Sequence, residues 1–130
     1  EIWGLAGLYV LMAAIYIFFE KVVINYRPVL EEGQTFPEPS FPSSHTMLVI
    51  AVMGSATLVV GKYIKNVKLV SVLKNMMSVM VILMVVGRML SGVHWFTDIV
   101  AGVFYGATLV SAYGTFLTAT KKDNQDQKGL

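Results

Sequence analysis

Cysteine is missing from this 130-residue chain, which removes disulfides and thiolate metal sites and leaves the redox compartment unmarked. Charge is scarce too. Asp, Glu, Lys and Arg make up 14% of the residues, where a soluble domain carries roughly a quarter. The net charge is only +2 and the basic residues are scattered, so nucleic acid is not an expected partner. No internal repeat or low-complexity segment is visible. There is also no initiator methionine and no basic signal-peptide start. Glu1 leads almost at once into an apolar run, and a fragment is the expectation.

What remains is apolar: 55% of the residues are hydrophobic, with a mean hydropathy of +0.65. They are also concentrated. Ile2 to Phe19, Met47 to Val60, Val70 to Leu90 and Trp95 to Thr118 each come close to the ~20 residues needed to cross a bilayer. The expected fold is an all-α polytopic membrane helix bundle with about four transmembrane helices. Residues 1–120 form its membrane-embedded domain, and 121–130 are read as a frayed polar tail. Lys62, Lys65, Lys68 and Lys74 gather around the connection between the second and third spans, and Lys121, Lys122 and Lys128 follow the fourth. By the positive-inside rule both regions face the cytoplasm. The 21–44 loop and the 88–94 turn then lie together on the other side.

Those two segments hold the chemistry. Ionisable groups at the ends of membrane spans are expensive to desolvate and mark a reaction, a transport path or a structural pair. Arg88, His94 and Asp98 fall within Gly87-Arg88-Met89-Leu90-Ser91-Gly92-Val93-His94-Trp95-Phe96-Thr97-Asp98. If the chain is helical from His94, Asp98 lies one turn later on the same face, where it can hold one ring nitrogen and aim the other. Such an imidazole is a nucleophile or base. The alternative is a buried polar pair that pins the fourth helix. Arg88 carries a guanidinium suited to gripping phosphate at two points.

The outer loop starts Lys21-Val22-Val23-Ile24-Asn25-Tyr26-Arg27-Pro28 and runs through Pro37, Pro39 and Pro42. These prolines favour an extended, semi-rigid connection that could serve as a rim or lid. Lys21 and Arg27 could equally be interfacial anchors. Pro42-Ser43-Ser44-His45-Thr46 reads as a helix start. The free amides of Ser43, Ser44 and His45 at its positive end would cradle an anion; an ordinary capped helix is the plainer account. Trp95 and Phe96 read as an interfacial belt. Gly102 and Gly106 read as a close helix-packing face.

Taken in order, Lys with Arg-Pro, Pro-Ser-x-His and Arg-x5-His-x3-Asp resemble the type 2 phosphatidic acid phosphatase superfamily of integral-membrane lipid phosphatases. The resemblance runs from residue 21 to 98 and on into the last helix. It implies His94 as nucleophile, Asp98 as its orienting carboxylate and His45 as proton donor to the leaving oxygen. Lys21, Arg27, Arg88 and Ser43, with the backbone N–H of Ser44, would hold the phosphate. Three positions depart from the family pattern. The family's spacing places its lysine at Glu20, and Lys21 is taken to fill that role from one residue away. Ser44 replaces the usual glycine, and Gly87 the usual serine. The family usually has six membrane helices, so two N-terminal helices are expected to be missing here.

The implied activity is metal-independent hydrolysis of a lipid phosphomonoester or diphosphate through a phosphohistidine, with no cofactor. Undecaprenyl diphosphate, phosphatidic acid and phosphatidylglycerol phosphate all present the same reacting group. The expected partners are that lipid and the bilayer, and the expected place is a bacterial plasma membrane with the site facing out. A lipid phosphotransferase would use the same residues, and a non-catalytic headgroup-binding module is the alternative of a different class. A metal between His45, His94 and Asp98 is a further alternative, disfavoured because three nearby cations suit an anion better.

Overall fold

The structure is a computed structural model that describes residues 1–30 and 32–128. Among these the chain forms four helices: α1 Ile2–Lys21, α2 Ser44–Tyr63, α3 Val67–Leu90 and α4 Phe96–Lys128. All are long and apolar enough to cross a membrane. A 20-residue helix such as α1 or α2 is about 30 Å long, the thickness of a bilayer's hydrocarbon core. The fold class is as the sequence predicts, and the chain is an integral membrane protein.

The centre of the bundle is the α2–α4 pair, with α1 laid against α4 and α3 against α2. Leu8, Met47, Ala51, Leu109 and Tyr113 form the buried cluster. Small residues let the central pair approach. A Cβ at Gly102 would stand 2.7 Å from the backbone oxygen of Ser43, and one at Gly106 would stand 2.9 Å from Ile50. Both glycines therefore belong to the close packing face expected of them. By contrast, no α3 residue is buried among the described residues. Beyond its contact with α2, that helix leaves its apolar surface exposed.

α3 stops at Ser91, after which Gly92 adopts φ +67°. Its missing Cβ lets the chain leave the helix through a left-handed step. The short 91–95 turn delivers His94 to the start of α4. The tail differs from expectation: α4 continues through Lys128 where a frayed end was read. A helix already nucleated in the membrane extends cheaply, and the Lys and Gln residues of this stretch are good helix formers that offset the weaker Asp and Asn.

Candidate active site

Two loops at one end of the bundle build the site. In the outer loop the segments around Tyr26 and Pro39 meet in an antiparallel bridge. Arg27 N–H donates to the Glu38 carbonyl at 2.9 Å, and Ser40 N–H donates to the Asn25 carbonyl at 2.9 Å. The prolines make both segments extended, and their pairing makes the loop a fixed rim. The Trp95 indole N–H donates to the Tyr26 carbonyl at 2.8 Å, which ties the rim to the α3–α4 turn.

His94 is buried. Its Nδ1 lies 3.1 Å from the carbonyl oxygen of Ser40 and 3.8 Å from Asp98 Oδ2. The first is a hydrogen bond and the second is too long to be one. The expected geometry therefore needs correction. His94 precedes α4, which starts at Phe96, so the two side chains do not share a regular helical face. The fully buried Asp98 spends its oxygens elsewhere: Oδ1 accepts from Asn25 Nδ2 at 3.1 Å and Oδ2 from Trp95 N–H at 3.0 Å. It caps α4 and reaches His94 as a nearby charge. A carbonyl only accepts, so Nδ1 carries the proton and Nε2 keeps its lone pair.

That lone pair meets Arg88. From the last turn of α3, Arg88 Nη2 stands 3.4 Å from His94 Nε2 and 2.7 Å from His45 Nδ1. A guanidinium can only donate, so both ring nitrogens facing it are acceptors. His45 is exposed, at the second residue of α2. His45, Arg88 and His94 are thus brought together from three separate parts of the chain. Burial, followed by the charges of Arg88 and Arg27, holds the His94 imidazolium below the ordinary imidazole range. The Ser40 carbonyl and the Asp98 carboxylate pull the other way and do not prevail.

The Pro-Ser-Ser-His turn is arranged differently from the expected cradle. Ser43 is fully buried; its N–H donates to the Asp98 carbonyl at 2.9 Å and its hydroxyl donates to Thr46 Oγ1 at 3.0 Å. The close approach at Gly102 presses α4 onto this turn and takes up the Ser43 amide. Ser44 is left facing a cavity of about 210 Å³, whose wall also includes Arg27, Ser40 and His94.

The same cavity separates two neighbours on α1. Tyr16, Phe19 and Glu20 line it, at the i, i+3 and i+4 positions of one helical face. Phe19 fixes that rotation by packing edge-on against Phe41 and tilted against Tyr105. Lys21, about 100° further round the helix, is exposed and is not part of the described wall. Glu20 therefore occupies the place that the resemblance gives to lysine. Arg27 reaches the cavity while its Nη2 lies 3.3 Å from Glu38 Oε2.

Asn25 and Ser40 are the residues that reading the sequence missed. Ser40 acts through its carbonyl, which no side-chain pattern can mark. Glu20 was visible to strict counting. Among the described residues no three His, Asp or Glu side chains converge as a metal set.

No curated protein and no solved structure matches the chain. A family model described as the PAP2 superfamily matches residues 3–122, a span that holds every residue of this site. The chain belongs to the PAP2 superfamily, whose members are generally phosphatases acting on phosphate esters.

Proposed function

We propose that the protein hydrolyses a phosphomonoester or diphosphate on a lipid, through a covalent phosphohistidine on His94 and without a metal. The observation that carries this reading is the anchoring of His94. With Nδ1 fixed on the Ser40 carbonyl, Nε2 presents its lone pair beside Arg88, and His94 also borders a cavity that Arg27 reaches. A nucleophile with two guanidinium groups close by suits an anionic phosphoryl group.

In the first step Nε2 attacks phosphorus, the P–N bond forms and the P–O bond to the lipid breaks. The leaving oxygen takes a proton from His45. In the second step water attacks phosphorus, His45 accepts its proton, and the P–N bond breaks to release phosphate. Arg88 lies between the two imidazoles before substrate arrives. A phosphate entering there would draw the guanidinium toward its oxygens and let His45 Nδ1 take up the proton it must deliver. Arg27, Arg88 and the Ser44 amide would stabilise charge on the equatorial oxygens, the largest contribution available to such a site. Lys21, outside the cavity wall, adds a more distant positive charge. The buried Ser43 acts by fixing the turn.

The lysine-rich opposite end supports an extracytoplasmic site. Phosphate release from a panel of lipid phosphates in detergent micelles tests the function. Orthovanadate is expected to compete with substrate, and EDTA to leave the rate unchanged. Loss of activity in EDTA that one added metal restores would overturn the metal-free mechanism.

A further inference from the structure

The cavity beside His94 is built for more than phosphate. Its wall carries Arg27 and His94 together with two carboxylates, Glu20 and Glu38, and three aromatic rings, Tyr16, Phe19 and Phe41. Aromatic faces beside a carboxylate are the chemistry that recognises an ammonium group. Glu38 already engages Arg27, whereas Glu20 makes no ion pair among the described residues. Ser40 adds an independent mark. It is buried to 2% exposure, lines the same cavity, and its hydroxyl oxygen has no hydrogen-bond partner among the described residues. Leaving such a group unsatisfied is costly, and a small shift of the rim on ligand binding would let a donor reach it.

Size ties these groups to the reacting centre. At about 210 Å³ the cavity is smaller than the roughly 300 Å³ at which drug-sized sites begin. It holds a phosphate and the few atoms attached to it. Whatever occupies it beside His94 therefore also meets Glu20 and the rings. A bare phosphate dianion would find the positive charge of Arg27 and Arg88 opposed by Glu20 and Glu38.

Resting on the hydrolase reading above, we propose that this cavity selects phosphate esters whose alcohol carries a positively charged amine close to the ester oxygen, with Glu20 as the specificity-determining residue. Arg27 and the Ser44 amide take the phosphoryl oxygens, with Arg88 reaching them from beside His94 Nε2. Glu20, flanked by Phe19 and Tyr16 on the same face of α1, takes the ammonium.

The test uses the full chain in detergent micelles and two long-chain alkyl phosphates. They are identical except that an amine two carbons from the ester oxygen is free in one and N-acetylated in the other. The free amine is expected to have the higher kcat/KM by roughly threefold to fivefold, the worth of one exposed cation contact. Glu20→Gln should bring the ratio close to one, and Glu20→Asp, which keeps the charge, should restore part of it. Equal rates for the two esters in the parent, or a ratio that survives Glu20→Gln, would overturn the proposal. If neither ester is hydrolysed, the hydrolase reading falls by itself. Calorimetric binding of the same two esters then decides: tighter binding of the free amine, lost in Glu20→Gln, supports the ammonium site, and equal binding overturns it.

Discussion

At one end of the bundle Lys62 Nζ sits 2.7 Å from Glu1 Oε2, with the Tyr63 hydroxyl 3.1 Å from the same oxygen. At the other end His94 and Asp98 stand 3.8 Å apart. The shorter pair is the less consequential. Lys62 is a solvated point charge on a flexible stem, and its main effect is to hold the Glu1 carboxyl below the usual carboxylate range. His94 and Asp98 are buried, and each is fixed by other groups: the Ser40 carbonyl for one, Asn25 and the Trp95 N–H for the other. The proposed chemistry therefore falls where the backbone restrains the side chains, not where the ion pair is shortest.

The largest expected effect comes from removing the proposed nucleophile, whose ring is the restrained one. His94→Ala should reduce turnover to background while the protein stays folded and still binds orthovanadate, since the arginines remain. Phosphate release, read beside calorimetric binding of orthovanadate, checks both halves; a variant with near-parental turnover would contradict the assignment.

Next, Arg88→Lys should be nearly as damaging as Arg88→Ala, because an ammonium cannot reproduce a planar two-point contact. Losing one charge-assisted contact from the transition state costs on the order of 3 kcal/mol, about a hundredfold in kcat/KM. Lys21→Arg, outside the cavity wall, should stay within a few-fold of the parent. Comparable losses at Arg88 and Lys21 would erase the distinction between a restrained cation and a solvated one.

Asn25→Ala should act more gently and leave a signature in the pH profile. The proposed mechanism needs neutral His94, whose pKa lies below the ordinary imidazole value. Its activity should therefore persist as the pH falls through the usual range for imidazole and be lost below it. Burying the neutral ring has the same sign for stability, which is lost as the pH falls through the folded-state value. Without Asn25, the freed Asp98 carboxylate can turn toward Nδ1 and favour the imidazolium. The acid limb of kcat/KM should then move to higher pH, with kcat lowered by roughly tenfold. An unmoved acid limb would assign Asn25 a merely structural part.

The smallest effect belongs to the other end. Lys62→Ala should leave turnover unchanged and barely alter the thermal midpoint, despite breaking the 2.7 Å pair. A large loss of activity there would show that ion-pair distance matters more than restraint.

The four spans were legible because runs of apolar residues as long as a bilayer leave little else for the chain to do. The three ordered motifs likewise brought His45, Arg88 and His94 to notice before any geometry was known. What stayed hidden acts through the backbone or through helix rotation. The Ser40 carbonyl would serve whatever side chain it carried. The Ser43 amide is consumed by the Asp98 carbonyl, a tertiary contact that the local Pro-Ser-Ser-His signature cannot express. Glu20 and Lys21 are adjacent in sequence but about 100° apart around α1, and the wedge of Phe19 between Phe41 and Tyr105 decides which of them faces the cavity.

The most direct measurement is to trap the intermediate. The full chain, mixed with a radiolabelled lipid phosphate and quenched in alkali within the first turnovers, should carry covalent phosphate that is stable to base and released by acid. Peptide mass spectrometry should place that phosphate on His94, with none on the His94→Ala variant. An active parent with no protein-bound phosphate, or with the label on His45, would contradict the account.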